Sequence, residues 1–454
     1  MKRAGILVGI AGLAAVAGAA PALAQRSLYP LPLPQQAAET APQPYSAYRP
    51  AEAAGPPASN FDRDRNVSVA ERARPEYQAA GLQLGGVTAY PRLTVGVERD
   101  DNIYAAATGA REDTIYVVQP ELVLQRVTAD SRIQAFVRGG RAMNDEFVKE
   151  SATEYQGGLT GYYEIGGGIR LTGGGDYGRY IEPRSSTLTP GGTAKPIDYR
   201  LGQANLGLSW TMDRLRLTGG AEYQDYNFDD GRTTADAEVD QDFRDRQIMT
   251  YNARAEYAVT PNASVFLVSA FDDRKYDSQP PAVALNRGSK GKAIAIGGAF
   301  DYGALARGEI QVGYVEQDYA EATLRDIDGI TAKATVEWFP TELTTLTLTG
   351  SRDVRDATVP GAGGFFSGNY GLQLDQELLS NLIVTARVGY GLDQYKGIDR
   401  EDKRTTGYLG ANYLLNRNVG FTLAYDYLKQ ESDGAAVGPS FEDNRLSLSS
   451  SVQF

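Results

Sequence analysis

The stretch Arg445-Leu446-Ser447-Leu448-Ser449-Ser450-Ser451-Val452-Gln453-Phe454 decides how the rest of the sequence is read. Leu446, Leu448, Val452 and Phe454 share one parity with Ser450, while Arg445, Ser447, Ser449, Ser451 and Gln453 share the other. An extended strand turns successive side chains to opposite faces. One face of this strand is therefore mostly apolar and the other wholly polar. Half-buried sheets of soluble proteins and walls of membrane barrels both use such strands, so the upstream sequence has to choose.

The same texture runs back to Gly86. Leu93, Val95 and Val97 alternate with Thr94, Gly96 and Glu98. Ile330, Ala332, Ala334, Val336 and Trp338 alternate with Thr331, Lys333, Thr335 and Glu337. Leu382, Val384, Ala386, Val388, Tyr390 and Leu392 alternate with a set that includes Thr385, Arg387 and Asp393. Val419, Phe421, Leu423, Tyr425 and Tyr427 alternate with Gly420, Thr422, Ala424 and Asp426. Segments around 166–176 and 263–271 alternate poorly, being Gly-rich or apolar on both parities. Strand-period stretches recur about every 20 residues, with no helix-period segment between them.

The connections alternate between two kinds. Tight ones carry the Gly, Asn, Asp and Pro of turns, at 128–130, 166–168, 212–214, 260–262, 302–304, 340–342, 379–381 and 416–418. Looser, more polar ones lie near 103–112, 148–152, 183–197, 229–244, 278–290, 321–325, 357–365, 397–403 and 433–440. Eight tight turns and nine loops connect about 18 strands, within a range of 16–20. An even count puts both chain ends on the side of the tight turns. Outer-membrane barrels have this asymmetry of short periplasmic turns and long external loops.

Composition agrees. The chain has 454 residues with no Cys and no His, so disulfides, thiolate nucleophiles and histidine general bases are all missing. A net charge of −12 gives no basic footprint for nucleic acid. Mean hydropathy is below zero. That excludes a helical membrane protein but not a barrel, whose strands are half polar. Met1-Lys2-Arg3, the apolar run from Ala4 to Ala19 and Ala22-Leu23-Ala24 read as a signal peptide cleaved after residue 24. Residues 25–85 are interrupted by Pro30, Pro32, Pro34, Pro42, Pro44, Pro50, Pro56 and Pro57 and read as a disordered periplasmic linker. Within it, the mixed charges of 62–76 read as solvated linker, with a short helix or docking at the barrel mouth as alternatives. The expected fold is thus all-β: one transmembrane antiparallel up-and-down barrel over 86–454, after a Pro-rich arm. No domain boundary breaks that span, where a soluble sandwich of this length would divide. Tyr162, Tyr163, Tyr223, Tyr226, Trp338, Phe339 and Tyr395 cluster near strand ends, as in interfacial aromatic girdles.

Parity assigns the inner face. Arg92, Glu98, Asp100, Arg216, Glu222, Arg254, Glu256, Glu309, Lys333, Glu337, Arg387, Asp393, Asp426 and Arg445 are the expected lumen-facing channel residues. Both signs are present, so the lumen is mixed rather than a single-sign filter, and most of these charges are expected to be paired or solvated. Barrels of 16 to 18 strands leave an aqueous channel. Asp100, Asp101, Asn102 and Asp113 form an acidic group whose spacing does not match a Ca²⁺ loop; capping of the first loop is the preferred role, and no metal, cofactor or catalytic residue is expected.

The ending on Phe454 resembles the closing strand of bacterial outer-membrane barrels, where the terminal aromatic helps the assembly machinery recognise the chain. Val95-Gly-Val-Glu-Arg-Asp-Asp-Asn102, followed by Asp113 and Gln119-Pro-Glu-Leu122, is similar to the opening two strands of the beta-barrel porin 2 group. Members often accompany exopolysaccharide synthesis and export genes. The resemblance therefore implies an outer-membrane conduit for a secreted polysaccharide, with outer-membrane lipid, the barrel-assembly machinery and export components as partners. The Pro-rich arm is not part of that pattern. Passive uptake of solutes and a structural or adhesive barrel displaying its loops stand as alternatives. An enzyme is disfavoured, because barrel hydrolases generally rest on a His-assisted nucleophile or water.

Overall fold

In the computed structural model, residue 61 and residues 67–186, 192–276, 285–303 and 305–454 are described. The signal-peptide reading, most of the Pro-rich linker and parts of the loops at 183–197 and 278–290 lie outside them. Eighteen long strands form the wall: β1 Val87–Asp100, β2 Asp113–Val127, β3 Ser131–Asn144, β4 Ala152–Gly166, β5 Ile169–Ile181, β6 Asp198–Met212, β7 Leu215–Phe228, β8 Arg246–Thr260 and β9 Ala263–Tyr276. The second half comprises β10 Ser289–Tyr302, β11 Ala306–Tyr319, β12 Ile327–Thr341, β13 Thr344–Asp356, β14 Gly364–Leu379, β15 Leu382–Tyr395, β16 Glu401–Leu414, β17 Val419–Asp433 and β18 Phe441–Gln453. Each pairs antiparallel with its sequence neighbours.

The sheet closes on itself. β18 pairs with β1 from Arg92↔Gln453 to Asp100↔Arg445, so Val95 lies opposite Ser450. Closure removes the sheet edges, which lets a sheet sit in hydrocarbon with its backbone groups paired. The first residues of β1 extend past the end of β18. There Leu82–Leu84 folds back and pairs with Val87–Ala89, covering that edge.

The turn chemistry explains the asymmetry of the two ends. At the β4–β5 connection Gly166, Gly167 and Gly168 all have positive φ (96°, 61° and 77°), a backbone region that side chains disfavour. The other end carries the longer loops, including the helical turns Val148–Glu150 and Asp242–Arg244 and a two-stranded ribbon of Gly231–Arg232 with Glu238–Val239.

The outer face is apolar all round. Leu446, Leu448, Val452 and Phe454 are exposed, while Gln453 is buried on the other face. Exposed aromatics form two belts: Tyr163, Trp210, Tyr257, Tyr302, Trp338 and Tyr413 near the tight turns, and Tyr116, Tyr155, Tyr177, Phe271 and Tyr314 toward the loops. On β4, Tyr155 and Tyr163 are both exposed with Leu159 between them. Their separation along the strand is about 27 Å at roughly 3.4 Å per residue, or about 20 Å of height at a strand tilt of roughly 40°, close to the height of an apolar band. The girdle expectation needs correcting at Tyr162, which turns inward under Arg170, and at Tyr226, Phe339 and Tyr395, which are buried inside. Consecutive aromatics must alternate between faces, so Trp338 meets lipid while Phe339 turns inward.

Candidate functional site: the inner wall

The inner wall is built from the opposite parity to the apolar one, and its charges meet inside. Arg254 on β8 reaches Glu309 on β11 with two bonds, 3.0 and 2.9 Å, and Glu256 at 3.1 Å. β8 and β11 are not neighbours, so that contact can only cross the barrel interior. The same guanidinium stacks 3.6 Å from the Phe266 ring centroid. Arg274 on β9 likewise bonds Asp356 on β13, and Asp356 also accepts from Tyr276 at 3.2 Å. These pairs act as cross-braces between walls.

A second cluster lies at the closing seam. Arg445 on β18 is 3.0 Å from Asp100 and 2.6 Å from Asp443, with Glu98 at 4.0 Å. Carboxylate oxygens of Asp100, Asp101 and Asp443 lie within 4.8 Å of one another. Arg445 is the resident counter-charge between Asp100 and Asp443, and Asp101 is occupied by the backbone and side-chain N–H groups of Asn444. The cluster is therefore a braced seam. Asp113 is not part of it: its carboxylate accepts the backbone N–H of Glu146 and Phe147 and an Asn144 side-chain N–H, capping the second loop. Asn102 caps the first loop through Ala106 and reaches Glu442. Beside the seam a cavity opens between Asp100, Asn144, Glu154, Arg184 and Arg445.

The remaining parity-assigned residues are spread around the wall. Arg92 lies on the same parity as buried Glu98 and Asp100, opposite exposed Leu93, Val95 and Val97. Arg216 lies 4.3 Å from the centroid of the Phe61 ring. Glu222 accepts from Gln224 at 2.6 Å, and Glu337 pairs with Arg307. Arg387 donates to Gln373 at 3.0 Å. Asp393 is fully buried between Ser367 (2.7 Å) and Arg404 (2.9 Å). Lys333 lies opposite Gln311 of β11, and Asp426 opposite Arg445. The structure thus gathers Glu98, Asp100, Asp426 and Arg445 at one place and Arg254, Glu256 and Glu309 at another, and spreads the others around the wall.

Several partners escape sequence reasoning. Asp443 and Arg307 carry the right parity and could have been found by extending the alternation of β18 and β11. Glu182 and Arg244 could not, because both lie in loops. They form a fully buried pair at 2.6 and 2.9 Å. This pair covers a stack of inward aromatics, Tyr180, Tyr199, Tyr226 and Phe228.

Residues 74–454 match the family described as Putative beta-barrel porin 2. The chain belongs to that family. It is an outer-membrane β-barrel of porin-like channel type. Among solved structures, OpdK from Pseudomonas aeruginosa in complex with vanillate is 12% identical, with 81% of this chain and 99% of that chain covered and a TM-score of 0.41. OccK9 (OpdG) from the same organism is 13% identical, covering 81% and 98%, with a TM-score of 0.44. The copper transporter OprC is 11% identical, covering 82% and 81%, with a TM-score of 0.46. No curated protein matches the chain.

Proposed function

We propose that this barrel is a conduit for a secreted exopolysaccharide across the outer membrane. The observation that carries the channel part is the closed 18-strand wall with charges of both signs meeting inside it. Barrels of this strand number leave an aqueous passage. A mixed, hydrogen-bonding wall suits a hydrated polymer better than a single-sign filter would. The polysaccharide part rests on the family's association with exopolysaccharide genes. In this reading the fourteen parity-assigned residues from Arg92 to Arg445 line the passage. The tight turns, the N-terminal arm and Phe454 face the periplasm, where the assembly machinery reads the terminal aromatic. The barrel carries out no chemistry of its own.

Planar bilayer recordings with and without added oligosaccharide test the channel, and a deletion strain tests the cargo. Loss of cell-surface polysaccharide with normal solute uptake is expected. Large conductance that sugars do not block, with normal polysaccharide, would instead establish passive uptake. A protein that conducts nothing would leave only the structural role of a surface barrel.

A further inference from the structure

Residues 67–77 do not trail away from the barrel. They run across its tight-turn mouth and are fastened to the inner wall. Val69 is fully buried against Ile383 and Leu414, with Tyr77 packed alongside. Its N–H donates to Thr345 Oγ1 at 2.9 Å. Arg74 is buried, 2.5 Å from Glu377, and donates to the Ser380 carbonyl at 3.2 Å. Glu71 bridges to Arg307 at 2.5 Å. Arg417 and Gln453 donate to the carbonyls of Pro75 and Tyr77. These attachment points belong to β11, β13, β14, β15, β16 and β18 or the turns between them, so the segment spans a large arc of the rim. Thr345, Glu377, Ile383 and Gln453 are inward-facing and buried, which puts the segment within the mouth rather than outside it.

We propose that residues 67–77 are a latch that narrows the tight-turn mouth and whose undocking widens the passage. The proposal rests on the channel reading above. Its fastenings suit that role. They are ion pairs, hydrogen bonds and one small apolar cluster, formed on rigid strand ends by a segment with little secondary structure of its own. Its own internal order is two short turns: Ser68 and Glu71 exchange hydrogen bonds between side chain and backbone, and the Tyr77 N–H donates to the Arg74 carbonyl. Such a segment can leave without disturbing any barrel pairing, because β1 is already closed by β2 and β18.

The chain has no Cys, so a Val69→Cys, Thr345→Cys pair introduces the only thiols. Unitary conductance is recorded in planar bilayers from the oxidised pair, the reduced pair and a variant lacking residues 67–77. Folding of each is checked by heat-modifiable gel mobility. Deletion is expected to raise conductance about twofold or more, as clearing roughly half the mouth of a barrel this wide would do, and reduction to restore wider openings that the oxidised link suppresses. Deletion conductance equal to that of the oxidised pair overturns the latch and leaves the channel standing. No conductance from any form, the deletion included, overturns the channel reading and the gate with it.

Discussion

Arg244→Met should release the loops that fold over the inner aromatic wall. Arg244 and Glu182 have side-chain exposures of 1% and 0%. The guanidinium makes two bonds to the carboxylate, a third to Gln241 at 3.0 Å, and stacks 4.0 Å from the Phe228 centroid. Replacing it leaves Glu182 buried without its cation, with Ser186 as its remaining side-chain donor at 3.4 Å. Breaking a buried pair from one side costs about 3–5 kcal/mol. The pair joins two loops and no two strands, so this cost falls on local opening and not on the barrel. At about 1.4 kcal/mol per tenfold, the open population of loops 182–197 and 229–245 should rise about 100-fold or more. Limited trypsin cleavage after Arg184 and Arg232, on protein that keeps its folded mobility on a gel, reads that population. Glu182→Gln, Arg244→Met together should recover most of the loss, since no uncompensated charge remains. Cleavage of the single variant within threefold of wild type would refute the claim that the pair holds these loops. A double variant as loose as the single would refute the buried-charge explanation.

Leu448→Arg on the lipid face should destabilise the barrel by about 2–4 kcal/mol if it lies near the midplane, whereas Ser447→Arg on the inner face should be tolerated; urea unfolding in lipid vesicles compares the two. Deleting Phe454 should lower the yield of folded barrel in the outer membrane without changing the stability of what does fold, measured by heat-modifiable mobility and then urea titration. Arg254→Ala should leave Glu256 and Glu309 facing each other and change ion selectivity toward cations, read as a shift in reversal potential under a salt gradient. Acidification should tighten loop 229–245. The Asp242 carboxyl is held above its ordinary range by burial and by the neighbouring Asp230 and Asp240, so the folded loop binds a proton more readily than the open one. That stabilisation is present at low pH and is lost as pH rises through the raised value. Cleavage at Arg232, scaled at each pH to that of an unfolded substrate, should therefore slow as pH falls through the carboxylate range, and should lose that dependence in Asp242→Asn.

The wall was legible in the sequence because lipid imposes a strict rule. Lipid-facing positions must be predominantly apolar, so Leu93, Val95 and Val97 had to alternate with the residues between them, and the parity of β18 fixed which side was which. The turns were legible because their backbone demands Gly, Asn or Asp, as at Gly166–Gly168. Where both faces of a strand end are covered, the rule lapses. Tyr226 and Tyr395 looked like girdle residues because an aromatic near a strand end suits lipid as well as an inward-folded loop. The docking of 67–77 stood in the sequence only as an alternative to a solvated linker, for a different reason. Arg72 and Arg74 are spaced like any solvated linker residues, and their partners Glu342 and Glu377 lie about 300 residues away. No local pattern encodes such a contact.

The interior also chose its cations. The pairs buried on both sides use arginine: Arg74 with Glu377, Arg244 with Glu182, Arg400 with Asp402. The lysine pairs are more exposed: Lys275 with Asp273, Lys292 with Glu316, Lys403 with Asp433 and Lys429 with Glu431. A guanidinium is more weakly hydrated than an ammonium and can bond two carboxylate oxygens at once, so it loses less on leaving water. It can also stack on a ring, as Arg254 does on Phe266 and Arg246 does on Tyr226. The closed wall makes this possible, because it encloses a place within the membrane where charges can be paired with one another and not with lipid. The passage is then shaped by braces such as Arg254–Glu309 and Arg274–Asp356 that join non-adjacent strands. Their removal should alter the width of the lumen more than the integrity of the wall, since the wall's own hydrogen bonds run between neighbours and do not depend on them.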